Sequence, residues 1–220
     1  MELLASMGLL AILGAITYAG VTSARHSAQR GQCASNLRQI GAAINLYAVD
    51  HSGSFPRTTH DYADTESWVN TLAPYLEDVD EIRISPADPL GDLRAQNNGT
   101  SYVMNEYIAV INRGDFNTMT MQWEMDEDYT NLFHLENPAR TITVFTGADD
   151  LSPTIFTDHN HARRWGTGLG GYEAFRQEVQ DDRYQDGANY LYADGRVEYY
   201  KAEEVKQKFI DGINIAVPPQ

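Results

Sequence analysis

The feature that most constrains this chain is a helical pattern that runs for nearly fifty residues without a break. It opens MELLASMGLLAILGAITYAG, and residues 3–24 carry no charged side chain. A helix of that length reaches about 33 Å at about 1.5 Å per residue, enough to span a hydrocarbon core of roughly 30 Å. Gly8, Gly14 and Gly20 lower helix propensity, but small residues in membrane helices admit a close neighbour. Beyond the apolar run, Cys33, Leu37, Ile40, Ile44 and Tyr47 recur at steps of four, three, four and three, forming one apolar stripe. No proline occurs before Pro56, and Asp50-His51-Ser52-Gly53 supplies a stop signal. One helix is therefore expected from about residue 3 to about residue 49. Residues 1–24 form its apolar, membrane-length half and 25–53 its amphipathic continuation. A globular head of mixed helix and strand follows over 54–220.

Glu2 is the anomaly at the start of this helix. A secretory signal peptide begins with basic residues, so an acid has the wrong sign. A carboxylate at the edge of a membrane is costly and calls for a cationic partner.

Charge is unevenly placed. The formal net charge is −15, and all but two of the 31 acids and all but three of the 16 bases lie beyond residue 50. An acidic head argues against nucleic acid as a partner, because phosphate binding needs clustered Lys and Arg. Cys33 is the single cysteine, so no intramolecular disulfide forms, and its place on the apolar stripe makes it a small buried hydrophobe.

The head reads as short segments. TESWVNTLAPYL (65–76) is expected as a short helix with Trp68, Leu72 and Leu76 on one face, and IRISPADP (82–89) as a loop or edge segment. TSYVMNEYIAVI (100–111) and ARTITVFTG (139–147) are rich in β-branched and aromatic residues and read as strands. Asn98-Gly99 is a turn signal, and the sequon it opens with Thr100 is read as that turn. In GANYLYADGRVEYY, Tyr190, Tyr192, Val197 and Tyr199 alternate with their neighbours around Asp194-Gly195, the dipeptide of a two-residue type I′ hairpin, over 188–200. KAEEVKQKFI (201–210) follows as an amphipathic helix with Val205 and Phe209 inward.

These residues carry a resemblance. ELLASMGLLAILGAI resembles the N-terminal helix of type IV pilins and type II secretion pseudopilins, in which a glutamate precedes an apolar run. Cys33, Ser35, Asn36, Leu37, Arg38, Gln39, Ile40 and Gly41, then Tyr47, Asp50, Gly53, Phe55 and Pro56, match the stem of a bacterial prepilin-like subgroup. That subgroup ends in a His-x9-Asp-Gly motif, and Gly187, Ala188, Asn189, Ala193, Asp194, Gly195 and Val197 match it. With SYVMN (101–105) between, the resemblance spans nearly the whole chain. Tyr184 stands where the motif has its histidine, and residues 165–182 read as an insertion. The fold implied is α+β and pilin-like, a long N-terminal helix packed on a small antiparallel sheet. The function implied is a structural subunit of a pilus-like or secretion filament, a homo-oligomer held in the inner membrane before assembly and in an extracellular or periplasmic filament after it. The implied partners are the prepilin peptidase and the assembly platform. Glu2 would neutralise the N-terminal amine of a neighbouring subunit, and Leu3, Leu4, Leu9, Leu10, Ile12, Leu13 and Ile16 would pack the filament core. Cys33, Leu37, Ile40, Ile44 and Tyr47 would pack the stem on the head, with Gly187, Asn189, Asp194 and Gly195 forming the hairpin. The family carries a basic leader, a glycine and usually Phe with a few residues before that glutamate, where this sequence has Met1. The expectation is a start that lies further upstream or a copy that is not processed. By charge alone the end bearing Arg25, Arg30 and Arg38 would stay in the cytoplasm, and a basic leader would reverse that orientation.

The remaining constellations are weighed on their chemistry. Asp158, His159 and His161 have the spacing of a metal site if a strand puts both rings on one face, but a third and fourth ligand are not identified, and a solvated polar loop is the simpler reading. Gly166-Thr167-Gly168-Leu169-Gly170-Gly171 lacks the Lys-Ser/Thr of a phosphate loop and reads as a flexible surface loop. The acids at 126–128, 149–150 and 181, 182 and 186 are candidates for Ca²⁺ bridging between subunits, though none has EF-hand spacing, and a solvated acidic surface is the simpler reading. No nucleophile-elbow, zincin or paired-cysteine motif occurs, so the chain is not expected to be an enzyme. The alternative to the filament subunit is a signal-anchored extracytoplasmic module whose acidic head binds a cation or a polysaccharide.

Overall fold

The computed structural model describes residues 2–59, 67–110, 115–117, 119, 121–124, 128–153 and 157–219, with side chains left aside at 2–5, 11, 19, 115–117 and 122–124. The stem helix α1 spans Glu2–Asp50 without interruption, 49 residues and about 73 Å. It ends as the stop signal requires. The Gly53 amide reaches back to the Ala48 carbonyl at 2.7 Å, with Ser52 at φ 56° and Gly53 at φ 89° in the left-handed region. A side chain at Gly53 would be strained by its positive φ and would have to displace the Asn131 amide.

In chain order the other elements are α2 (Trp68–Thr71), α3 (Val79–Ile82), α4 (Gly91–Gln96), β1 (Tyr102–Met104), α5 (Glu106–Ala109), β2 (Asp115–Asn117), β3 (Gln122–Glu124), β4 (Ile142–Thr146), α6 (Gly168–Arg176), β5 (Gly187–Tyr192), β6 (Val197–Lys201) and α7 (Ala202–Ile210). One antiparallel sheet has the order β1-β4-β5-β6, and β2 and β3 pair separately. The stem covers one face of the large sheet through Tyr102, Met104, Val144 and Leu191. On the opposite face α6 and α7 cover Val103, Phe145, Ala188, Tyr190 and Tyr192. A β-bulge in β4 between Ile142 and Val144 switches the side-chain alternation, so these two residues, two apart, serve opposite faces. Both faces being covered, β4 and β5 are buried at every position.

Several expectations are corrected. The strand read over 100–111 is only three residues long, because the Asn105 side chain accepts the Tyr107 amide and caps α5 instead; Ile111 lies outside the described residues. The helix read over 65–76 is α2 followed by a 3₁₀ turn at Ala73–Tyr75, split where Pro74 removes an amide donor; Thr65 and Glu66 are outside the described residues. Within 82–89, Ile82 closes α3, which Asp78 caps by accepting the Glu81 amide. The turn expected at Asn98-Gly99 is present and follows the end of α4, with Asn98 at φ 56°. The hairpin is not a two-residue type I′ turn. Gly195 alone has positive φ, at 86°, while Tyr192 accepts the Gly195 amide and donates to Arg196. That is a three-residue Ala193-Asp194-Gly195 loop closed by a left-handed glycine, and Asp194 keeps an ordinary φ. Its strands run 187–192 and 197–201, with Tyr190 and Tyr192 on the α7 face and Val197 and Tyr199 toward the stem.

Gly187 has a physical reason to be glycine. A Cβ there would lie 2.2 Å from the Tyr200 carbonyl oxygen and 2.7 Å from the Tyr199 hydroxyl, whose ring lies across it. Gly187→Ala is expected to cost about 1–3 kcal/mol, read as a lower urea midpoint of the full chain in neutral detergent. Gly170→Ala, with nothing within 4 Å of the added carbon, is expected to raise stability by up to about 1 kcal/mol through helix propensity.

Candidate functional site: a bare apolar helix docked on the hairpin

Among the described side chains, the large apolar ones in the first half of α1 are bare. Met7, Leu9, Leu10, Ile12, Leu13 and Ile16 are each 52% to 68% exposed, and Tyr18 and Val21 are equally bare. Each such side chain forgoes about 1.5–3 kcal/mol of burial, and the patch far exceeds what a soluble monomer leaves uncovered. Two of its hydroxyls are satisfied within the helix, Thr17 and Thr22 donating to the Leu13 and Tyr18 carbonyls at 2.7 and 2.9 Å. Nothing lies within 4 Å of a Cβ built on Gly8, Gly14 or Gly20, which leaves room for a second helix to approach. This segment is long and apolar enough to cross a membrane, by length and composition, as an anchor or a signal sequence does. The Glu2, Leu3 and Leu4 backbones lie in the helix; their side chains are outside the described residues.

The head takes hold at Gln29, whose amide donates to the Pro86 carbonyl at 2.8 Å. At the next residue, the Arg30 guanidinium lies 4.7 Å from the Tyr199 ring centroid, and the Arg30 carbonyl accepts from Asn189 at 2.9 Å. Asn36 donates to the Ile82 and Ile84 carbonyls, both at 3.3 Å. Cys33, Leu37, Ile40 and Ile44 are buried, and Tyr47 is half-buried, stacked on His51 at 3.8 Å. Gly41 marks the closest approach, where an added Cβ would meet Leu191 at 2.8 Å and the Gly195 Cα at 3.2 Å. Asn45 bridges its own helix to the hairpin, donating to Gly41 at 2.8 Å and Ala193 at 3.5 Å. The stem residues and the hairpin residues named from sequence are thus the two sides of one interface. Asp194 lies at its rim, receiving the Arg196 amide.

Tyr184, at the place of the motif's histidine, is buried beneath the same interface. Its hydroxyl is 3.2 Å from Ser85 Oγ, and the Tyr102 hydroxyl is 3.7 Å from Cys33 Sγ. Burial, then the neighbouring Cys33, pushes both phenols far above their ordinary range, so they stay neutral donors. No spacing in the sequence pointed to this cluster.

The 158–161 segment is not a solvated loop. Asp158, His159 and Asn160 are buried, because the Met104 and Asn160 amides exchange bonds with the Asp158 and Met104 carbonyls and lay this segment along the free edge of β1. Trp68 Nε1 donates to the Asp158 carbonyl at 2.6 Å, and the carboxylate accepts from the Thr59 amide and hydroxyl at 3.1 and 3.0 Å. The two rings do come together, 5.1 Å apart, but each has its own carboxylate, His159 with Asp158 at 3.0 Å and His161 with Glu178 at 2.6 Å. Among the described residues no group of three or more His, Cys, Asp or Glu is arranged to hold a metal. Of the described acids in these clusters, Asp128, Asp150 and Asp186 are solvated, Asp149 and Asp182 are partly so, and Asp181 is the exception. Asp181 is fully buried against Tyr172 and Arg176, Asp149 pairs with Arg183, and Asp186 pairs with Lys201; Asp126 and Glu127 lie outside the described residues. The glycine-rich stretch is not a loop throughout. Gly168 begins α6, which supplies Tyr172 and Phe175 to the core.

Burial raises the Asp158 carboxyl, but the His159 ring and Thr59 outweigh it and hold it below the usual value of 3.8. Its contribution is therefore complete at neutral pH and lost as pH falls through the depressed folded-state value. Asp158→Asn is expected to cost about 2 kcal/mol at neutral pH, with the gap from the parent closing below about pH 4, read by urea melts across pH. Cys33 is expected to react with a thiol reagent only on unfolding, because its sulfur is sealed between stem and sheet.

Residues 22–82 match the model of a family described as a protein of unknown function, DUF1559, a family associated with type II secretion and pilin-like proteins. The matched segment runs from the end of the bare helix through the docked stem to α3. No curated protein and no solved structure matches the chain. The match and the long helix on a four-stranded antiparallel sheet together point to a pilin-like or extracytoplasmic protein.

Proposed function

We propose that the chain is a pilin or pseudopilin subunit, stored in the inner membrane by its N-terminal helix and assembled into a filament through it. The observation that carries this reading is the continuity of α1, whose bare apolar half passes with no break into a half locked to the head. A plain anchor needs only the first half. In the membrane, lipid covers the apolar side chains; in a filament, neighbouring helices do so equally well, so the exchange is close to balanced and packing detail decides it. Glu2 supplies the register, since a carboxylate among apolar helices is tolerable beside a neighbour's free amine and costly when out of step. The prepilin peptidase and assembly platform are the partners this reading requires, and the head faces the periplasm or the exterior. The role is structural, without a cofactor.

The test is N-terminal peptide mass spectrometry of material sheared from the cell surface. A trimmed, N-methylated peptide ending at Arg25 in that fraction is the expected result. An unprocessed N-terminus found only in membranes would overturn the reading in favour of an anchored binding module.

A further inference from the structure

A groove opens on the face of the sheet away from the stem, between the hairpin, α7 and the segment 213–219. It encloses about 420 Å³, within the size range of small-ligand sites. In a chain of net charge −15, three cations converge on it, Arg140, Arg196 and Lys208, against one carboxylate, Glu198. Arg196 is already engaged: it pairs with Glu198, donates to the Ala139 carbonyl and lies 4.2 Å from the Tyr192 ring centroid. Arg140 and Lys208 are different. Among the described residues neither has a carboxylate within ion-pair distance, and Lys208 Nζ stands 5.6 Å from the Tyr200 ring centroid. The apolar wall beside these two cations is Ile213 and Val217, 52% and 41% exposed. The polar wall is Tyr200, whose hydroxyl lies 3.0 Å from that of Tyr192 and donates to Glu198 at 2.5 Å.

We propose that this groove binds an acidic oligosaccharide, one whose sugar residues carry a carboxylate. Such a residue presents an anion, apolar C–H faces and hydroxyl groups on one small body. The groove offers each its complement: the unpaired Arg140 and Lys208 for the carboxylate, Ile213 and Val217 for the ring face, and Glu198 with Tyr200 for the hydroxyls. A fatty acid would want a closed apolar channel, and a nucleic acid would meet the repulsion of the acidic head outside the groove. The assignment does not rest on the filament reading, and either stands if the other fails.

The test is calorimetric titration of the full chain in neutral detergent with trigalacturonate at low ionic strength. Saturable one-site binding is expected, weakened at least tenfold in the Arg140→Gln/Lys208→Gln variant. It is expected to be unchanged in Lys201→Gln/Lys206→Gln, which removes the same charge from cations that already pair with Asp186 and Glu203. Neutral maltotriose should give no saturable heat; this arm needs no variant. Absence of saturable binding to trigalacturonate, equal loss in both double variants, or equal binding of maltotriose would overturn the proposal. Equal binding of a triglutamate peptide would overturn the saccharide assignment and make the groove a site for acidic peptides.

Discussion

The rest of the structure depends on the burial of one stripe of the stem helix against the inner face of the sheet. Cys33, Leu37, Ile40, Ile44 and Ala48 are 0% to 2% exposed, and what they cover is Tyr102, Met104, Val144 and Leu191 from three strands. At about 1.5–3 kcal/mol for each large side chain withdrawn from water, losing the stem would strip the sheet of a whole face. The distance of approach is set by glycine on both sides, Gly41 on the helix and Gly195 in the hairpin loop. Its register is set by amides. Asn36, Asn45 and Asn189 each reach across to a carbonyl of the opposing element, and a helix slipped by one turn would leave all three without their partners.

That docking gives the bare half of the helix its meaning. Because α1 is continuous, the orientation of the head is transmitted directly to the apolar segment, and whatever packs the segment also places the head. The first head contact, at Gln29, comes only a few residues after the end of the apolar run. The globular part therefore sits close against whatever surface covers the helix, lipid or neighbouring subunits. An acidic head on an apolar stem would keep heads apart in water in any assembly that the stems form.

The parts of this fold legible in the sequence are those decided locally. The stem was readable from period and absence of proline, α7 from its amphipathic spacing, β4 from its β-branched run, and the hairpin from Asp194-Gly195. The turn type was not, since it depends on Asp194 keeping an ordinary φ while Gly195 alone turns left-handed. The strand at 100–111, β1, was overextended because the Asn105 cap competes with β-propensity over only two residues. Asp158 and His159 looked like surface because their partners, Thr59 and Trp68, lie 99 and 90 residues away. Tyr184 was marked only by its spacing from Asp194, and its role under the stem exists only because hairpin and stem converge. In α6 the step from Tyr172 to Phe175 was a helical signal that the glycines before it masked.

The central claim is that the bare helix is covered by copies of itself. A photo-crosslinking amino acid placed at Leu13, exposed in the isolated chain, tests it in living cells. The account predicts a ladder of products at integer multiples of the chain mass, recovered from the sheared surface fraction. A crosslinker that captures only lipid, with the chain remaining a membrane-bound monomer, would contradict it.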